Sequence, residues 1–301
     1  MLSKADIEKE LGKGVNFYPF HYENIKENSV NFTIGKIAWA MKSGEIFKEI
    51  SGKYTVRKTS RKDGVKIEKG KNAIVHEKEK SYLILLPAST TIVETSEVIG
   101  LENYIGGTVH SKVGVVAQGV CDIGTMLGPC YSGHLMISLH NPTDDVIALE
   151  VGTTFVSLVF EYLNTPVENN SNSNMSGHVD KLSELGIFVN QKTRQYLTED
   201  WKLSTDGVRN KMSKSRPYQK FLEESKKRKK DWKKYINFRN ITVFIIYTVL
   251  VVIIGILAHT IDRVNGITIW SDRFWTVIIA AIIIPCLQRI NSKLIKKRVT
   301  D

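Results

Sequence analysis

From Ile241 to Ala258 the chain runs without a single Asp, Glu, Lys or Arg, in a stretch dominated by Ile, Val and Leu. Carried on to Ile261 it covers about 20 residues, and at roughly 1.5 Å per helical residue that length matches the hydrocarbon core of a bilayer. A second apolar run, from Phe274 to Leu287, is shorter. Trp270 and Trp275 at its edge, flanking basic residues and the short connector from Asp262 to Arg273 mark it as a second span, with Pro285 near its end. Lys/Arg asymmetry sets the orientation. Lys226 to Lys234 and Arg239 precede the first run, Arg289 to Arg298 follow the second, and the connector holds only Arg263 and Arg273 beside two aspartates. The expected topology is a two-span hairpin of the cell inner membrane, with both termini cytoplasmic.

That reading explains the charge. The net of +11 is concentrated in the tail: residues 1–210 carry 23 Lys/Arg against 25 Asp/Glu, whereas residues 211–301 carry 19 against 6. Basic residues flanking apolar runs point to anionic lipid headgroups rather than to nucleic acid. The first residues, Met1 to Gly14, alternate Lys and Glu among apolar positions and contain no apolar leader-like stretch, so the soluble part is expected in the cytoplasm. Cys121, Cys130 and Cys286 form no C-x-x-C pair and are expected to be reduced.

Ahead of the tail the pattern is β. A short helix is expected at Leu2–Gly12, with Ser3 as N-cap, Ile7 and Leu11 four apart, and Gly12 as its stop. From about Val15 to Glu161, β-branched runs such as Tyr82–Leu86, Thr90–Val93 and Thr154–Phe160 are separated by turn residues, as in a barrel or sandwich. The Lys- and Glu-rich stretch Arg57–Lys80 reads as an exposed hairpin or loop. The expected organisation is a mainly β domain over 1–163, a polar linker over 164–177, a basic helical stalk over 178–240 and the transmembrane hairpin over 241–301.

The first 163 residues carry an ordered series of short motifs. Leu2-Ser3-Lys4-Ala5-Asp6-Ile7 opens it, followed by Pro19-Phe20, Ile25 to Gly35, Leu85-Leu86-Pro87 and Thr95-Ser96-Glu97. His110-Ser111-Lys112, Gly128-Pro129-Cys130-Tyr131-Ser132-Gly133, Ile137 to Asn141 and Gly152 to Phe160 complete it. Together they resemble the dCTP deaminase branch of the trimeric dUTPase-like family. The resemblance implies a β-barrel-like fold, a homotrimer, and nucleotide pockets between subunits.

The catalytic pieces depart from that pattern. Hydrolytic deamination needs a group that activates water and shuttles its proton. Ser138 stands where the deaminases have their acid/base glutamate, and Gly128 where the dUTPases have their aspartate. His110 replaces the first phosphate-binding arginine. The segment from Val113 to Gly119 offers no counterpart to the second. Ser111 and Lys112 remain as donors to phosphate, the lysine as a point charge rather than a fork. Gln118, Asp122 and Tyr131 fall in segments that form the family pocket, and each also has a bland reading as a turn or core residue. His110, His134 and His140 lack a carboxylate or cysteine at metal-site spacing, so no zinc is expected.

The leading expectation is a nucleotide-binding pseudoenzyme in a membrane. Its ligand would be a nucleotide or cyclic nucleotide, with Mg accompanying the ligand and no resident cofactor. The architecture resembles two-transmembrane effectors of antiphage defence. The alternatives are an active dCTP deaminase or dUTP diphosphatase attached to the membrane, with Asp122 or Glu97 supplying the missing carboxylate, and a membrane scaffold with an empty pocket.

Overall fold

The computed structural model describes residues 1–49, 51–56, 64–122, 124–168 and 179–228, together with residue 253. Both expected spans lie outside these residues, apart from residue 253. Among the described residues no helix is long and apolar enough to cross a membrane.

Helix α1 (Lys4–Glu10) forms where its caps place it. The Ser3 side chain accepts from the Asp6 amide, and the Asp6 carboxylate accepts in return from the Ser3 amide and hydroxyl. Gly12 adopts φ +77° just past the helix. Strand β1 (Val15–Tyr18) follows, then a 3₁₀ turn at Tyr22–Asn24 and the long β2 (Val30–Ala40). The short strands β3 (Gly44–Lys48), β4 (Tyr54–Val56), β5 (Val65–Ile67) and β6 (Ile74–His76) lead to β7 (Ser81–Leu85). Next come β8 (Ser89–Leu101), β9 (Ile105–Ser111), the single turn α2 (Val113–Val116), β10 (Cys121–Asp122) and β11 (Met126–Leu127). Strands β12 (Ser132–Asn141), β13 (Ile147–Glu150) and β14 (Thr154–Tyr162) complete the β part.

The main sheet runs β10-β12-β8-β2-β14-β9-β11, with β1 also paired to β8 and every pairing antiparallel. Register shifts fall between Ile34 and Ala38 on β2, His134 and Met136 on β12, and Thr154 and Val156 on β14. Such bulges bend strands and increase twist, which curls the sheet around its apolar face. Phe17, Phe32, Phe155 and Phe160 fill that interior, fully buried. Smaller sheets, β13-β7-β6 and β4-β3-β5, flank it. The stretch expected as an exposed hairpin or loop therefore pairs into the β4-β3-β5 and β6-β7 ladders, and its Ile67, Ala73 and Ile74 are buried. Residues 57–63 lie outside the described part.

Part of the segment expected as a basic helical stalk, residues 179–228, is described. Helices α3 (Val179–Glu184), α4 (Gln191–Leu197) and α5 (Thr205–Ser213) are short, residues 216–228 are helical (α6), and a compact unit extends over Met1–Glu223. Val179, Leu182, Ile187, Val189 and Leu197 pack on Trp39 and Ile92 of the sheet. Val208 and Met212 of α5 are fully buried. Tyr218 and Phe221 meet Phe20 at ring centroids 5.2 and 5.7 Å apart, and Phe221 stacks on Tyr22. The many Lys and Glu residues here mark the solvated side of helices whose buried apolar positions face the β domain, while Leu185, Phe188 and Leu203 are exposed.

Candidate functional site

A cleft of about 330 Å³ opens between β2, the β13–β14 turn and the segment after β9. Ile34, Val115, Ala148 and Leu149 give it an apolar floor, and Lys112, Gln118, Glu150, Thr153 and Thr154 its polar groups. Apolar walls with a few convergent polar side chains are the usual make-up of a ligand site, and the volume lies at the lower end of ligand-sized clefts.

Pairing of β9 with β14 sets the Lys112 side of the cleft. Ser111 lies opposite Val156, and the Lys112 amide donates to the Phe155 carbonyl at 3.0 Å. Lys112 then leads into the single turn α2, and its ammonium donates to the Thr154 hydroxyl at 2.6 Å. The Ser111 hydroxyl is buried and has no hydrogen-bond partner among the described residues. A donor in that state carries a desolvation penalty that an incoming acceptor would relieve. Gln118 uses one amide hydrogen on the Gly114 carbonyl at 2.8 Å, which holds it across the cleft rim. Glu150 accepts from Lys80 at 2.9 Å.

The other expected site residues are placed elsewhere. His110 is exposed on β9, bonded to the Thr108 hydroxyl at 2.8 Å, and does not line the cleft. Tyr131 is a core residue, 4% exposed, whose hydroxyl donates to the His134 carbonyl. Asp122 lies on β10 with its backbone opposite Leu139, and its side chain is outside the described part. Of the six, the structure brings Lys112 and Gln118 to the cleft, with Ser111 adjoining. Glu150, Thr153 and Thr154 escaped the sequence reading. The turn glycine Gly152, at φ +85°, is the local signal that could have directed attention to them.

Ser138 and Gly128, the positions the resemblance above sets against the family's carboxylates, can also be placed. Ser138 is half-buried on β12 opposite Ile92. At Gly128 a Cβ would meet nothing within 4 Å, so packing within the chain does not forbid an aspartate there. Glu97, considered above as a substitute, is committed to structure. Its carboxylate accepts from the Thr33 amide at 2.8 Å and from the Thr33 hydroxyl at 3.1 Å, and burial raises its pKa. Among the described residues no group of three or more His, Cys, Asp or Glu side chains is arranged to hold a metal.

Residues 1–163 match the model of the family described as dCTP deaminase-like, over more than half of the chain. The chain belongs to the dCTP deaminase-like family. Its relatives include the dUMP-forming dCTP deaminase of Nanoarchaeum equitans, 25% identical over 160 residues, covering 50% of this chain and 77% of that one. The dCTP deaminase of Acidianus ambivalens is 27% identical over 171 residues, covering 56% and 88%. Among solved structures, the dCTP deaminase from Agrobacterium tumefaciens superposes with a TM-score of 0.37 at 14% identity, over 61% of this chain and 53% of that one. EIAV dUTPase superposes with a TM-score of 0.26 at 19% identity, over 33% and 92%. The family match ends before α3, so the helices that cover the sheet and the apolar tail fall outside it.

Proposed function

We propose that this deaminase-like domain binds a nucleotide or cyclic nucleotide in the cleft over Lys112 without turning it over, and that the apolar runs from Ile241 onward hold it in a membrane. The observation that carries the reading is the chemistry of the cleft. A lysine ammonium, two threonine hydroxyls and a glutamine amide line it beside an unpaired serine hydroxyl, while Ser138 stands where the deaminases have their acid/base glutamate. This set can hold phosphate, with Mg accompanying it, but Ser138 is a poor base near neutral pH. The resemblance to trimeric dUTPases suggests a homotrimer, which would gather three pairs of apolar runs. By architecture this suggests a nucleotide-regulated two-transmembrane effector of antiphage defence. Regulation requires that the ligand bind one membrane state more tightly than the other.

The test is a thermal-shift screen of the full-length protein in detergent against dCTP, dUTP and cyclic nucleotides. A ligand present at 100 times its Kd should stabilise the domain by about 2.7 kcal/mol, and Lys112→Met should remove the shift. If no nucleotide moves the transition, the binding reading fails. Glu150 supports a second reading, because it places a carboxylate in the cleft. Uracil formation from dCTP that is lost in Glu150→Gln would establish a deaminase instead.

A further inference from the structure

Away from the cleft, β8 and β12 bury ionisable side chains that the proposed site does not use. Glu94 is fully buried and His134 is 1% exposed, with His134 Nδ1 3.8 Å from Glu94 Oε2. One Glu94 oxygen accepts from the Lys36 amide at 3.1 Å inside the β2 bulge, and the other has no partner among the described residues. His134 Nδ1 lies 2.8 Å from the Thr95 carbonyl, which can only accept, so the proton sits on Nδ1 and Nε2 is left bare, with no partner among the described residues.

The lid over this pair comes from the helices beyond the family match. The Tyr196 ring lies against the His134 ring, with centroids 5.2 Å apart. Lys202, 2% exposed, sits 3.6 Å from the centroid of the Tyr196 ring, donates to the Tyr196 carbonyl and reaches Glu199 at 3.4 Å. Ser132 of β12 donates to the Lys202 carbonyl at 2.9 Å. The groups whose charges act on the pair are therefore Lys36 from β2 and Glu199 and Lys202 from the turn after α4, with Lys211 of α5 acting on Lys202, while the Tyr196 phenol beside them is itself raised by burial and by Glu94.

We propose that Glu94 and His134 form a proton-sensitive latch under the segment Val179–Lys202, holding it on the sheet while Glu94 is protonated and loosening it when Glu94 ionises. Burial pushes the Glu94 carboxyl from 4.5 to about 8 and His134 from 6.5 down to about 4. The docked state thus binds the Glu94 proton more tightly than the undocked state, so docking weakens as pH rises from 4.5 to about 8. It binds the His134 proton more weakly, so docking weakens as pH falls from 6.5 to about 4. The two effects cancel between 4.5 and 6.5. Above 6.5 only the Glu94 effect remains, and alkalinisation opens the latch.

Hydrogen exchange with mass spectrometry on the full-length protein in detergent, corrected for intrinsic exchange, tests this directly. Opening of peptides within residues 179–202 should rise on the order of tenfold between pH 6.5 and 8.5, while peptides of β9 and β14 stay constant. Glu94→Gln, which keeps the shape and cannot ionise, should flatten that dependence with the segment still docked. In Lys202→Met, loss of the nearby cation should move the opening to higher pH. A pH-independent segment in the wild type, or an unchanged dependence in Glu94→Gln, would overturn the latch. The experiment involves no nucleotide, so its outcome is separate from that of the binding test.

Discussion

Ser3 and Gly12 bracket the same helix and differ in how far their effects reach. Ser3 is a local device, and Ser3→Ala should lower stability by about 1 kcal/mol in urea denaturation. Its partner Asp6 has a pKa lowered by hydrogen bonding to Ser3 and by Lys9, so this contribution is lost as the medium becomes acidic enough to protonate Asp6. Gly12 carries a second constraint: a Cβ there would lie 2.4 Å from the Tyr218 hydroxyl, which itself donates to the Leu11 carbonyl. Gly12→Ala should therefore destabilise more than Ser3→Ala and should increase hydrogen exchange around Tyr218. The helix stop was legible from the glycine. The approach of Tyr218 was not, because nothing local links residues so far apart in sequence. Tyr131 shows the same limit, since a tyrosine in a pocket-forming segment reads identically whether it faces a ligand or the core.

Two glutamates of β8 illustrate what a strand pattern conceals. Three apart, Glu94 and Glu97 fall on opposite faces by alternation, yet both are buried and both hold the backbone of β2, at Lys36 and Thr33. Glu97→Leu should cost roughly 1–3 kcal/mol, because it leaves the Thr33 amide and hydroxyl without their partner, while Glu97→Gln should cost less. Chemical denaturation of the two variants side by side measures the difference. Thr33 also pairs with Thr154, which lines the cleft. Slackening this clasp should accordingly weaken any ligand that depends on Lys112.

At the scale of the molecule, a compact unit extends over Met1–Glu223, beyond the end of the family match at residue 163. A truncation ending at residue 168 strips the cover from Trp39, Ile92 and Met136 and removes Met212, Tyr218 and Phe221 from the main core. Residues 1–223 should melt in one cooperative transition. Residues 1–168 should melt at lower temperature and aggregate, as light scattering during the melt would register. Ligand screening on isolated fragments should for that reason use the longer one.

The sequence by itself determined the β architecture, the capped first helix and the family resemblance. Each of these is written in neighbouring residues, in alternation, capping spacing or motif order. Only the tertiary structure decided that Glu150 and Thr154 share a cleft with Lys112, that Tyr131 belongs to the core, and that the basic helices fold back over the sheet. Those outcomes depend on which distant surfaces bury one another. A helix rich in lysine looks solvated along its whole length until the few apolar side chains on its other face find Phe20, Trp39 and Ile92.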